Sequence, residues 1–328
     1  MRIYLFVILA VTALVANGCA APKIKLFTDA ADPLQEFTLQ GTEEGKVLVI
    51  PIRGIISDAP KKRLIRTRPS MLQEIVSQLA LAEKDEEVKA VLLKIDSPGG
   101  STTASDLLYH EIKAFKERTG AKIVVAMMDL ASSGGYYISL AGDYIMAHPT
   151  TLTGSIGVIF MHPRVTGLME KIGFEMEVNK FGKNKDMGSP FRQSTEEEQK
   201  ILRDLTDELG KRFLNLVAEH RKLDQKVLDN VSTARVYLAK EALGLGLVDR
   251  IGYLSDALSK AKELAGLSEN AKVVVYRRTE YADDNLYNTS TTQYNGSGLT
   301  FIDLGLPDSI TSLRAGFYYL WLPVAGRD

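Results

Sequence analysis

The chain has 328 residues, 45% of them hydrophobic and 25% charged, and a formal net charge of −1. This is an ordinary globular composition that fits one large domain or two modest ones. A balance so near neutral excludes any general attraction to nucleic acid or to an anionic membrane. The basic run Lys61-Lys62-Arg63, with Arg66 and Arg68, reads as a solvated loop between a strand and a helix.

Met1-Arg2 opens the chain, an apolar stretch covers residues 3–16, and Asn17-Gly18-Cys19-Ala20-Ala21 follows. One basic residue, a short apolar core and a small residue before a cleavage point describe an export signal over residues 1–18. The core is short for a membrane-spanning helix of about 20 residues. Val15-Ala16-Asn17-Gly18-Cys19 is similar to a bacterial lipobox, which implies lipidation of Cys19; an uncleaved anchor helix is the other reading. Cys19 is the one cysteine in the sequence, so no disulfide forms within a chain. Residues 19–45, mixed polar and acidic, read as a tether.

Residues 47–56 are a β-branched run that predicts the first core strand. Ser70-Met71-Leu72-Gln73 has capping-box spacing and leads into a helix with Ile75, Leu79 and Ala82 on one face. Buried strands are predicted at 90–95 and 122–128, with a helix over 102–118 between them and another opening at Ser133. Shorter strands are expected at 144–147, 156–160 and 174–179. After Ser194-Thr195-Glu196-Glu197-Glu198 comes the longest helix, with Ile201, Leu205, Leu209, Phe213 and Leu216 as its apolar stripe. Shorter helices fill 224–266, and a strand is expected over 272–276. A polar loop at 283–298 precedes the aromatic run Phe317-Tyr318-Tyr319-Leu320-Trp321. That run reads as core packing, as an assembly contact or as an approach to the membrane. The alternation of strands and helices predicts an α/β catalytic domain over 46–270, with active groups at the strand C-terminal ends, and a C-terminal extension over 271–328.

The stretch Leu130-Ala131-Ser132-Ser133-Gly134-Gly135-Tyr136-Tyr137 ends an apolar strand abruptly in two hydroxyls and two glycines. A serine at such a strand-to-helix turn has an exposed hydroxyl with backbone N–H groups close by, which suits a nucleophile. A helix-capping serine with crowding-relief glycines is the simpler reading of that segment alone. One strand earlier, Asp96-Ser97-Pro98-Gly99-Gly100 offers a second backbone N–H free of side chains. Together the two segments make a candidate acyl-transfer site with a two-donor oxyanion hole. As for the base, the four histidines, His110, His148, His162 and His220, fall before prolines or on helix patterns. Lys180, Lys183 and Lys185 share one loop, and the residues alone do not choose between them.

Five segments then carry a resemblance. Residues 95–100, 131–137, Thr151-Leu152-Thr153-Gly154-Ser155-Ile156-Gly157, 182–190 and Arg235-Val236-Tyr237 through Gly246-Leu247-Val248-Asp249 resemble the signal peptide peptidase A family of serine–lysine peptidases. The resemblance spans roughly residues 45–265 and implies a ClpP/crotonase-like spiral fold. It implies Ser133, rather than Ser132, as nucleophile and Lys185 as general base. Ser155 would orient the lysine, and the N–H groups of Gly100 and Gly134 would hold the oxyanion. No metal or cofactor is implied. It is to the short single-domain form, in which protomers close a ring and the lysine reaches the serine of a neighbour. Extended apolar peptides such as remnant signal peptides are the implied substrates. The implied setting is the bacterial cell envelope, with the catalytic domain on the exported side of the membrane. Two alternatives stay open: a crotonase-type acyl-CoA enzyme, and an inactive scaffold that binds peptides or membrane proteins.

Overall fold

The computed structural model describes residues 32–62, 67–288 and 315–321. The export signal, Cys19, Arg63, Arg66 and residues 289–298 of the polar loop lie outside them. In chain order the first half runs β1 (Gln35–Gln40), β2 (Glu43–Arg53), the short pair β3 (Lys61–Lys62) and β4 (Thr67–Arg68), α1 (Met71–Ala82), β5 (Val88–Ser97), β6 (Gly99–Ser101), α2 (Thr102–Thr119), β7 (Lys122–Ser132) and α3 (Gly134–Ser139). Then come β8 (Tyr144–Ala147), β9 (Leu152–Gly154), β10 (Ile159–Met161), α4 (Thr166–Ile172), α5 (Glu196–Arg221) and α6 (Gln225–Val231). The chain continues with β11 (Val236–Leu238), α7 (Ala239–Gly244), β12 (Arg250–Ile251), α8 (Leu254–Leu264), β13 (Ala271–Arg277) and β14 (Gly316–Leu320).

The main sheet has the order β1-β13-β2-β5-β7-β8-β12, and every neighbouring pair from β13 onward is parallel. Its strands are buried on both sides, so they read as continuous apolar runs whose residues alternate between two cores. Leu48, Ile50 and Ile52, Val91, Leu93 and Ile95, and Ile123, Val125 and Met127 face one core, with Ile75, Ile112 and Phe213. Val47 and Val49, Ala90 and Leu92, and Val124 and Ala126 face the other, against Leu254, Leu258 and Ala261 of α8. Helices on both faces of a parallel sheet are the α/β arrangement expected from the sequence.

β9 leaves the main path. It pairs in parallel with the far end of β7, Ser132 lying opposite Gly154, and antiparallel with β11. A separate antiparallel sheet has the order β10-β14-β6, so the C-terminal strand lies between two strands of the catalytic region.

Four expectations need correction. The sheet reaches past the expected domain on both sides: β1 falls inside the stretch read as a tether, and β13 is inserted next to that edge, between β1 and β2. Their apolar residues Phe37, Leu39, Val273 and Val275 join the α8-side core, which a polar tether composition concealed. The strand expected at 156–160 begins late, as β10 at Ile159, and a strand that was not expected, β9, precedes it and ends at Gly154, where positive φ at Gly154 and Ser155 turns the chain. The strand expected at 174–179 does not form, and Phe174, Met176 and Val178 are exposed instead. Finally, α5 buries Leu202, Phe213 and Val217, while Leu205 is exposed. A spacing of four drifts round a 3.6-residue helix, so Leu205 has turned roughly 80° from Phe213.

Candidate active site

β7 ends at Ser132, and the next residue turns the chain into α3 with φ 53° and ψ −115°. A non-glycine residue there is strained by ~1–3 kcal/mol and persists only when its surroundings hold it. Two hydrogen bonds do so: the Ser133 N–H donates to the Gly154 carbonyl at 2.7 Å, and its own carbonyl accepts from Tyr137 N–H at 2.8 Å. Ser133 stands at the N-cap of α3, yet its hydroxyl makes no capping hydrogen bond. Ser70 and Ser101, by contrast, accept from Gln73 N–H and Ala104 N–H in the ordinary way. The capping reading of Ser133 therefore fails, and its oxygen is left for other chemistry. Ser132 is different again, with a fully buried Oγ that has no hydrogen-bond partner.

The glycines pack backbone against backbone. A side chain on Gly100 would start 1.9 Å from the Ile56 carbonyl oxygen. One on Gly134 would start 2.5 Å from Ser105 Oγ and 3.1 Å from Gly100 N, so the two amides share one small region. Gly99, with φ +99°, would place a side chain 2.0 Å from the Tyr319 carbonyl oxygen and 2.6 Å from Gly134 N. Ile56 N–H donates to the Gly99 carbonyl, and Ser101 N–H donates to Ile56. Alternation along β6 then turns the N–H and carbonyl of Gly100 the other way, towards Tyr319, its register partner on β14. Trp321 N–H, donating to the Pro98 carbonyl, extends the same ladder.

Ser155 lies just past β9, has φ 52°, and donates its N–H to the Arg235 carbonyl. The Ser133–Gly154 hydrogen bond keeps it beside Ser133. Among the described residues, Lys185 makes no hydrogen bond to either serine. It is exposed on the turns after Gly182, and among the described residues its ammonium makes no hydrogen bond or ion pair. Its neighbours are firmly tied. Arg192 bridges Asp186, at 2.6 Å, and Glu198, and Lys180 pairs with Asp186 at 2.5 Å. Hydrogen bonding from Arg192, and then from the Thr195 amide, pulls the Glu198 carboxyl down to about 2. The segment leading to this loop exposes Leu168, Ile172, Phe174, Met176, Val178 and the wholly exposed Phe181.

Sequence reasoning missed an aromatic pocket behind Gly134. Tyr319 of β14 stacks on Tyr137 (centroids 5.0 Å apart, planes at 19°) and tilts against Phe213 at 4.9 Å. Its hydroxyl donates to the Leu209 carbonyl at 3.1 Å. Tyr137 is fixed in turn, donating to Asp106 at 2.5 Å, and Arg212 grips the same carboxylate at 2.7 Å. The Phe-Tyr-Tyr run was the available signal, but periodicity could not say which elements it meets.

Residues 115–268 match the model of peptidase family S49. The Enterococcus faecium protein named signal peptide peptidase SppA is 34% identical over 253 residues, covering 77% of this chain and 73% of its own length. The chain belongs to peptidase family S49. As an S49 chain it is a serine peptidase of the ClpP/crotonase-like α/β class, which sets the acyl-CoA reading aside. Protease 4 of Haemophilus influenzae is 30% identical over 293 residues, 88% of this chain and 46% of that longer protein. Among solved structures, a ClpP1 variant from Listeria monocytogenes is 19% identical with a TM-score of 0.42, over 64% of this chain and 94% of its own. Among the described residues, no helix is long and apolar enough to cross a membrane.

Proposed function

We propose that the chain is a membrane-associated endopeptidase with a Ser–Lys dyad, in which Ser133 of one protomer is completed by Lys185 of a neighbour. The uncharged Lys185 amine takes the Ser133 Oγ proton as that oxygen attacks the peptide carbonyl. The N–H groups of Gly100 and Gly134 hold the developing oxyanion, an interaction commonly worth ~2.7–4 kcal/mol per donor. Protonated Lys185 then protonates the leaving amine, and water releases the acyl group from Ser133. Ser155, beside the nucleophile, orients the lysine.

The observation that carries this reading is β14. An extended segment lies antiparallel on β6 with a main-chain carbonyl opposite Gly100, next to Gly134. That is how a peptide substrate adds a strand to an edge and delivers its carbonyl. The exposed position of Lys185, on a lobe with a row of exposed apolar side chains, favours a site shared between subunits of a ring. Extended apolar peptides such as remnant signal peptides are the substrate class. Lipidation of Cys19 would hold the domain at the membrane on the exported side.

The test is complementation between inactive variants. Ser133→Ala and Lys185→Ala chains should each fail to cleave a signal-peptide-like substrate, and mixing them after subunit exchange should restore part of the activity. A single variant that cleaves like the parent chain would sink the dyad. Fluorophosphonate labelling of Ser133 separates an active peptidase from an inactive scaffold.

A further inference from the structure

We propose that Arg192 is a positioning residue for Lys185: by gripping Asp186 and Glu198 together it fixes the turn from which the lysine reaches Ser133 of the neighbouring chain. The inference rests on the shared Ser–Lys site proposed above and deepens it by naming what holds the base in place. All three guanidinium nitrogens of Arg192 donate. Nε donates to Asp186 Oδ2 at 2.7 Å, and Nη2 donates to Asp186 Oδ1 at 2.6 Å and to the Asp186 carbonyl at 3.1 Å. Nη1 donates to Glu198 Oε2 at 2.8 Å and to the Gln193 carbonyl at 3.0 Å, and Nη2 also donates to Glu198 Oε1 at 2.5 Å. One planar side chain thus holds both the carboxylate and the backbone of the residue that follows Lys185.

The far end of the grip is anchored. Glu198 is 1% exposed and completes the capping box of α5, accepting from Thr195 N–H while its own N–H donates to Thr195 Oγ1. Further along the same helix Phe213 and Val217 are fully buried, and Arg212 pairs with Asp106 of α2. The near end is a compact turn. Lys185 N–H donates to the Gly182 carbonyl, Met187 N–H to that of Asn184 and Ser189 N–H to that of Asp186. Hydrogen bonds from Arg192 and then from Lys180 hold the Asp186 carboxyl well below the usual carboxylate range, so the grip stays charged at neutral pH. Two of the loop's three lysines are spent on this scaffold, Lys180 on Asp186 and Lys183 on Glu197. Lys185 alone keeps an amine without a hydrogen bond or ion pair among the described residues. A loose loop would spread that amine over many positions, and a misplacement of about 1 Å can cost ~10²-fold in rate.

The test reads the rate at which a fluorophosphonate labels Ser133 in mixed assemblies of full-length chains, so no peptide substrate has to be chosen. A Lys185→Ala chain, which keeps Ser133, is mixed with a Ser133→Ala chain, which keeps Lys185. Arg192→Gln is then placed on one chain or on the other. On the lysine-supplying chain it should lower the labelling rate about a hundredfold, and on the serine-supplying chain by less than about twofold. Arg192→Lys keeps a cation beside the buried Glu198 and so guards against misfolding, but it cannot span both carboxylates. It should give the same one-sided loss, of at least about tenfold. Equal losses on the two chains with both substitutions, or no loss on either, would overturn the positioning role and leave Arg192 structural. Labelling of the parent chain but not of the starting mixture would sink the shared site and not the grip. Arg192→Lys in the parent chain should then slow labelling by at least about tenfold, and an unchanged rate would overturn the proposal. A parent chain that takes no label would sink the peptidase reading and the grip with it.

Discussion

Ser133 and Ser155 are the first residues past the paired ends of two parallel strands, and each has positive φ, 53° and 52°. The Ser133 amide donates to the carbonyl of Gly154, so the two turns are hydrogen-bonded to each other. Strain that could relax in an isolated loop is locked here by the β7–β9 ladder on one side and by α3 on the other. One serine thus opens a helix without capping it, while the other stands alongside.

Nucleophile identity is the first prediction. Ser133→Ala should abolish fluorophosphonate labelling and lower kcat by at least about a thousandfold, whereas Ser132→Ala should label like the parent chain. Removing the unpartnered Ser132 hydroxyl should also leave thermal stability unchanged or slightly higher, since a buried unsatisfied group is lost. Labelling that follows Ser132 instead would reverse the assignment.

The proposed oxyanion donors are testable through their crowding. Gly134→Ala would push a methyl group to within 2.5 Å of Ser105 Oγ and displace the amide. A drop in kcat of about 10²–10³ is expected, with KM little changed. Adding Ser105→Gly should recover part of it by making room, and no recovery would point to backbone strain rather than to that contact.

Ser155→Ala retains the strained backbone and removes only the hydroxyl. The variant should fold normally, yet its pH–rate profile should shift, because the group proposed to orient the lysine is gone. An unchanged profile would leave Ser155 a purely structural residue.

The loop that carries Lys185 should loosen in acid. Glu198 titrates lower in the folded chain than the ordinary carboxylate value of 4.5, at about 2. A depressed carboxyl contributes stability that is fully present above the unfolded value and lost as pH falls through the folded one. Protection against hydrogen exchange across residues 182–192, relative to the intrinsic rate at each pH, should therefore fall between about pH 4.5 and 2, and Glu198→Gln should already show the low protection at neutral pH. A parent chain whose protection there is unchanged over that range would contradict the Arg192 anchor.

In the core, Ile50→Ala removes a fully buried side chain from a central strand. A loss of about 2–5 kcal/mol is expected in urea unfolding. A cost below 1 kcal/mol would mean that the sheet collapses readily around the gap.

Much of this was legible in the chain itself. The apolar runs of β2, β5 and β7 and the caps at Ser70 and Thr195 are local signals, and each of those elements formed. So is Ser132-Ser133-Gly134-Gly135, because a tight strand-to-helix turn must be written in consecutive residues. The apolar alternation at 174–179 misled, since a strand needs a partner edge and this segment has none among the described residues. The stripe assigned to α5 misled for a related reason: periodicity gives a helix but not the angle at which it meets the core.

Sequence by itself determined the central strands β2, β5 and β7 with the helices between them, the family, and the residue types proposed for the chemistry, since these depend on spacing along the chain. Only the tertiary structure decided that Tyr319 lies opposite Gly100, that Tyr137 and Phe213 pack as one aromatic cluster, and that Lys185 stands on an exposed turn without a hydrogen bond to Ser133 among the described residues. Those relations join residues roughly 50 to 220 positions apart. They are set by strand pairing and helix packing, which act through space and leave no periodic trace in the sequence.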